Sequence, residues 1–154
     1  MSPPTTARKA LRDEHVDAVL HLLHRAGQYA HDLFFDKTAG LDITPRQLVV
    51  LQAIERDDRP SQTDLVNATG IDRSTIADIV RRMEKKGLIR RKRAANDARI
   101  YVVSLTEKSK RILRRAAPAL EQTSAELLAP LNDRERDRFV DTLVRIVNNH
   151  NRSN

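Results

Sequence analysis

Ser74, Asp78, Arg81 and Lys85 recur at intervals of four, three and four residues. At about 100° per residue they share one face of a helix, with Thr75, Ala77 and Arg82 at its flanks. That set suits hydrogen bonding to the edges of paired bases. A guanidinium can donate two parallel bonds to guanine, hydroxyls bond several base edges, and small side chains permit close approach. Asp78 has two readings: it accepts from the cytosine amino group, or it braces Arg81 or Arg82 three or four residues on. Ser61, Gln62, Thr63 and Arg73 are grouped with this face as candidate DNA contacts.

The elements that must hold the face can be read on either side of it. Ser61 suits an N-cap, with Asp64 at the capping-box position. Leu65, Val66 and Ala68 give the short helix after it an apolar side. Gly70 supplies a turn through positive φ, and Asp72 caps the next helix. Ile76, Ile79, Val80 and Met83 lie on the face opposite the polar set, and Gly87 stands where a helix would end. Two helices joined by a short turn containing glycine form a helix-turn-helix. Leu88 to Arg93, the polar turn Ala94 to Ala98, and the β-branched run Arg99 to Leu105 then predict a hairpin with a basic first arm. Such a hairpin is a wing whose tip reaches a neighbouring minor groove, where arginine favours the narrow, negative track. Arg91, Lys92, Arg93, Asn96, Asp97 and Arg99 are its candidate contacts; the alternative use of four consecutive cations is a solubilising edge strand.

Charge supports the nucleic-acid reading. Residues 72–99 hold ten Lys/Arg and four Asp/Glu, a net +6 within a chain of +7. Aromatics are only 3%, which favours duplex DNA over single strands bound by base stacking. With no cysteine, disulfides, thiolate zinc sites and thiol redox sensing are excluded. No Gly-rich phosphate loop, HExxH motif or nucleophile elbow is present, so no enzyme and no cofactor are expected. No apolar run reaches a membrane span and no signal-peptide core follows Met1, so a cytoplasmic protein associated with the nucleoid is expected.

At 154 residues the chain is one unit by size. After the Met1 to Thr6 segment, a long helix is predicted from about Arg12 to Lys37. Val16, Val19, Leu20, Leu23, Ala26, Ala30, Leu33 and Phe34 form its apolar face, with Gly27 marking a close helix contact or a bend. His21, His24, Gln28 and His31 share a stripe beside that face. A chelate, a polar edge and the lining of a ligand cavity are its possible uses, and no metal ligand is assigned. Thr44, Pro45 and Gln47 open another helix as N-cap, N1 and N3, running to about Glu55. Thr106 caps a long helix faced by Ile112, Leu113, Ala116, Ala117, Leu120 and Leu127, in which Pro118 should produce a kink. Asn132, with Glu135 at N3, caps a last helix lined by Phe139, Leu143, Ile146 and Val147, fraying from Asn148. Both terminal helical segments are amphipathic without a use in the DNA module, which predicts a homodimer built from both ends.

This order of elements, with Gly87-Leu88-Ile89, Asp97-Ala98-Arg99 and Leu105-Thr106 in their places, resembles the MarR family of winged-helix transcriptional regulators over roughly Asp13 to Asn148. The resemblance implies a mainly α fold with a small β-wing: a winged helix-turn-helix lobe at about 44–105 between dimerisation helices at about 12–38 and 106–149. It also implies a homodimer on a pseudopalindromic operator, usually as a repressor, with Asp97 holding Arg99 for wing contact. A small effector, such as an aromatic acid, a phenolic compound or an acyl-CoA thioester, would release the DNA. Candidate effector contacts are His21, His24, Arg25, Tyr29, Arg46 and Gln47. Thiol-peroxide sensing, known in one branch, cannot apply without cysteine. The chain departs from the family in one place, with Ser109 where glycine is frequent. A metal-responsive regulator of the same fold and a non-specific architectural DNA binder are the rival readings.

Overall fold

Capping side chains set where most of the helices begin. The computed structural model describes residues 18–152, in the order α1 Val19–Lys37, α2 Pro45–Arg56, α3 Gln62–Thr69, α4 Arg73–Lys85, β1 Ile89–Arg93, β2 Tyr101–Leu105, α5 Glu107–Leu127 and α6 Asp133–Arg152. Thr44, Ser61 and Thr106 each form a reciprocal box with the residue three positions on. Asn132 does the same with Glu135 through bonds of 3.0 and 3.1 Å. Each box satisfies two backbone donors that a helix start otherwise leaves open.

The core forms where α2, α3, α4, the two strands and the first half of α5 meet. Leu48, Val50, Leu51, Leu65, Ile76, Val80, Met83, Leu88, Ile89 and Val103 are almost fully enclosed. Burial of each large aliphatic among them contributes about 1.5–3 kcal/mol. Phe34 at the end of α1 joins this core, and Lys37 Nζ meets Glu126 Oε2 of α5 at 2.8 Å. The Glu126 partner raises the pKa of Lys37, first through the hydrogen bond and then through its charge.

The recognition-type helix α4 ends in two bonds. Gly87 N donates to Glu84 O at 2.9 Å and Leu88 N to Met83 O at 2.9 Å, the pairing of a Schellman motif. Gly87 makes this possible at φ 68°. The next element is stitched to the same point. Thr106 Oγ1 donates to Gly87 O (2.8 Å) and Leu88 O (3.1 Å), and Lys108 Nζ donates to Lys86 O at 2.9 Å. Strands β1 and β2 pair antiparallel, from Ile89 opposite Leu105 to Arg93 opposite Tyr101. Val103 N also donates to Pro60 O at 3.0 Å, which ties the wing to the segment before α3.

Several expectations change. The start of the first helix, with Arg12 and Val16, lies outside the described residues. Among the described residues of that helix's apolar face only Leu33 and Phe34 are buried; Leu20 is 82% exposed. Among the described residues a Cβ at Gly27 meets nothing within 4 Å, so no close contact is made there. Ala68 is exposed and Leu65 alone is buried on α3. On α5 the buried set is Ser109, Leu113, Ala116, Ala119 and Thr123, and Ala117 is exposed because it lies roughly a quarter-turn from the centre of that face. Thr123 Oγ1 and Ser109 Oγ donate to Ala119 O and Thr106 O at 2.8 and 2.9 Å, so both hydroxyls are buried without cost to hydrogen bonding. Pro118 lies inside the helix, as expected, and lacks the N–H that would reach the Arg114 carbonyl. Helix α6 does not fray at Asn148 but runs to Arg152, since asparagine costs no more than about 0.7 kcal/mol per helical residue. Its apolar side is unburied: Phe139, Ile146 and Val147 are exposed and Leu143 is half-buried.

Candidate nucleic-acid interface

Ser61 opens α3 with its hydroxyl and N–H both donated to Asp64 Oδ2, at 2.6 and 2.8 Å. Those bonds hold the Asp64 carboxyl below the usual range. Gly70 turns the chain at φ 67° and passes it to Asp72. Asp72 Oδ1 accepts from Ser74 Oγ at 2.6 Å and from Thr75 N at 2.9 Å. The Ser74 hydroxyl, followed by the Thr75 hydroxyl and N–H, drives the Asp72 carboxyl well below its ordinary value. Ser74 therefore spends its proton on the cap and keeps lone pairs to accept from a base. Arg73 Nη2 donates to Thr63 Oγ1 at 3.3 Å, which joins the starts of α3 and α4.

Ile76, Ile79, Val80 and Met83 are buried, as their spacing predicts, and this turns the opposite face of α4 outward. Ser74, Arg81, Arg82 and Lys85 are exposed on it, and Thr75 at its margin and Asp78 within it are half-buried. Asp78 takes the bracing role on both neighbours. Its Oδ2 meets Arg82 Nε at 2.7 Å, and its Oδ1 accepts from Arg81 Nη2. The two guanidiniums are thereby gathered over one carboxylate.

The wing is built differently. Arg93 Nη1 donates to Ala98 O at 2.9 Å across the hairpin loop. Asp97 Oδ1 accepts from Arg99 N at 2.9 Å and lies 3.7 Å from Arg99 Nε, and Asp97 O accepts from Ile100 N at 3.0 Å. This turn removes Arg99 and Ile100 from the strand predicted to contain them and leaves the Arg99 side chain 95% exposed. Arg91, Lys92, Arg93 and Asn96 are likewise exposed. Between the wing and the start of α3 lies a groove of about 750 Å³, lined by Ser61, Gln62, Thr63, Arg91, Asn96 and Arg99 among the expected contacts. Of the remaining lining residues, Arg59 and Tyr101 add a cation and an aromatic ring to the expected set. Tyr101 carries a signal only once the strand register is known, and Arg59 stands in a charged break that gave none.

The candidate effector contacts are not gathered in the single chain. His21, His24, Arg25 and Tyr29 are exposed on α1, and Arg46 is exposed on α2. Gln47 is buried, with its Oε1 accepting from Thr44 N at 3.1 Å in the capping box. Of the histidine stripe, His31 packs edge-on to Phe35 with ring centroids 4.6 Å apart. Among the described residues no three His, Asp or Glu side chains form a group that could hold a metal. Among the same residues no helix is long and apolar enough to cross a membrane.

Comparison with known proteins follows the same geometry. A family model described as MarR family matches residues 41–100. The transcriptional repressor NicR of Pseudomonas putida is 30% identical over 151 residues, 96% of each chain. The solved structure of BpsR from Bordetella bronchiseptica, whose DNA binding is regulated by 6-hydroxynicotinic acid, is similar at TM-score 0.78 and 30% identity, over 83% of this chain and 91% of that one. The repressor CouR bound to a 23-mer DNA duplex is similar at TM-score 0.77 and 26% identity, over 86% of this chain and 95% of the other.

Proposed function

We propose, for a chain that belongs to the MarR family of transcriptional regulators, that it is a homodimeric repressor of a pseudopalindromic operator, released by a small aromatic acid. The observation that carries the DNA reading is the continuity of the basic surface. Exposed Ser74, Arg81 and Arg82 on α4 connect through the Arg73–Thr63 bond to the start of α3, and across the groove to Arg91 and Arg99 of the wing. In this reading α4 lies in the major groove, the wing cations follow the backbone or the minor groove, and the lobe at about 44–105 works as one body.

The terminal helices, about 12–38 and 106–149, supply the dimer. Val19, Leu20, Leu22 and Leu23 on α1 and Phe139, Val140, Val144, Ile146 and Val147 on α6 remain exposed in the single chain. A two-fold partner covers them and sets two recognition helices about 34–36 Å apart, one turn of duplex. The protein acts where the operator is, in the cytoplasm on the nucleoid.

A structural relative supports the proposed effector class. BpsR responds to a hydroxylated heteroaromatic carboxylate, and the same class is proposed here. Arg25 or Arg46 would pair its carboxylate, and His21, His24 and Tyr29 would offer hydrogen bonds and ring contact. The ligand acts by preferring a dimer whose recognition helices are wrongly spaced for DNA.

The test is binding to the DNA upstream of the chain's own gene, against a random duplex of equal length, across a salt series. Tight binding with a large preference for the upstream DNA supports the reading; 6-hydroxynicotinate and other aromatic acids are then titrated for release. Equal binding to both duplexes with the same steep salt slope leaves only the phosphate interaction and favours an architectural protein.

A further inference from the structure

We propose that Tyr101 is a positioning residue whose ring seats Arg91 and Arg93 together as a preformed, fully charged phosphate clamp on the wing. This rests on the DNA-binding reading above. Side chains of a strand alternate, so Arg91 and Arg93 share one face of β1 while Arg90 and Lys92 take the other. The register puts Tyr101 directly opposite Arg93 and diagonal to Arg91. The Arg91 Cζ lies 4.4 Å from the Tyr101 ring centroid and the Arg93 Cζ 5.4 Å, both within reach of a cation–π contact.

Two guanidiniums two residues apart repel and, unrestrained, spread into water. Proteins usually gather such pairs over a carboxylate, as Asp78 does for Arg81 and Arg82. A carboxylate subtracts a charge from the surface; an aromatic ring holds the cations through its quadrupole and subtracts none. Among the described residues neither Arg91 nor Arg93 meets a carboxylate, so the wing presents both charges intact. Arg93 is fixed a second time by Ala98 O, whereas the ring is the contact that places Arg91. Arg91 and Tyr101 also line the groove facing Gln62 and Thr63, where a phosphate of the bound strand fits.

The experiment uses the full chain with Tyr101→Val, Tyr101→Phe, Arg91→Ala and the Arg91→Ala/Tyr101→Val double variant. Valine keeps the strand preference while removing the ring. In the free protein, side-chain NMR should show ring-current shifts of the Arg91 and Arg93 Hδ protons that persist in Tyr101→Phe and vanish in Tyr101→Val. In duplex titrations, Tyr101→Val should weaken operator and random DNA alike by about fivefold, with Tyr101→Phe within about twofold of wild type. The double variant should bind about as Arg91→Ala does, because Ala98 O still holds Arg93 once the ring is gone. If Arg91→Ala weakens binding and Tyr101→Val does not, the clamp is overturned and the DNA reading stands. If Tyr101→Phe behaves as Tyr101→Val, the hydroxyl rather than the ring is responsible and the proposal fails. A wild-type chain that binds no duplex overturns the proposal together with the reading beneath it, and the ring-current shifts then report the ring's hold on the arginines separately.

Discussion

Replacing Asp78 by Asn distinguishes a brace from a base reader. The carboxylate holds Arg82 Nε at 2.7 Å and also bonds Arg81, with side-chain exposures of 68%, 75% and 36% for Arg82, Arg81 and Asp78. Ion pairs this open to water are each worth about 0.2–1 kcal/mol, so Asp78→Asn should leave the unfolding midpoint nearly unchanged. Its effect on DNA is larger. If the freed cation neutralises one more phosphate, the log–log salt slope steepens by about 0.9, which is about fivefold tighter binding at about 0.15 M salt relative to 1 M. The assay is fluorescence anisotropy with operator and random duplexes of equal length, at four or more salt concentrations. Both duplexes should gain about the same factor, because the gain comes from phosphate. If Asp78 instead accepts from a cytosine amino group, Asn exchanges a charged acceptor for a weaker neutral one, so operator binding falls or gains less while random DNA still gains the full factor. That divergence would refute the bracing account.

Arg81→Ala should cost about 1–3 kcal/mol on the operator and relax its base preference, whereas Arg93→Ala should weaken all duplexes evenly and reduce the salt slope by roughly 1; a substitution series in the operator reads both. Gly87→Ala should lower stability in urea by about 1–2 kcal/mol, because its φ of 68° is left-handed while the added Cβ meets nothing within 4 Å. The folded-state pKa of Asp72 is depressed, so its stabilising contribution is present above the ordinary carboxylate value of 3.8 and is lost as pH falls through the lowered one. Asp72→Asn keeps an acceptor at the cap and should flatten the acid limb of the unfolding curve, followed by circular dichroism. Ile146→Glu should convert a dimer to a helical monomer in sedimentation, since that side chain is 56% exposed in the single chain.

Much of this architecture could be read from short-range chemistry. Thr44, Ser61, Asp72, Thr106 and Asn132 announce helix starts because a cap needs only its own residue and the third one on. The Ile76, Ile79, Val80 and Met83 stripe fixes which way α4 faces, and with it the exposure of Ser74 and Arg81. What escaped depends on longer range or on volume. Arg99 reads as a strand residue, yet a carboxylate two positions back takes its N–H. Ser109 and Thr123 read as polar, yet each closes its own hydrogen bond and so enters the core. The partnership of Tyr101 with Arg91 and Arg93 exists only in one strand register, and a one-residue slip would abolish it. The effector candidates His21, His24, Arg25, Tyr29 and Arg46 stay exposed and ungathered within the single chain.

The joint at Thr106 gives the molecule a lever arm. Helix α5 is fastened at its first turn to the Lys86 and Gly87 carbonyls just past α4, and near its far end Glu126 holds Lys37 of α1. A helix of 21 residues is a rod of about 30 Å. Tilting such a rod by about 5° about its distal end carries the α4 joint through about 2.6 Å, most of the 3.4 Å between successive base pairs. In the proposed dimer two symmetric rods moving oppositely would double that mismatch, so an effector lodged between helices would dislodge two reading heads without touching either one.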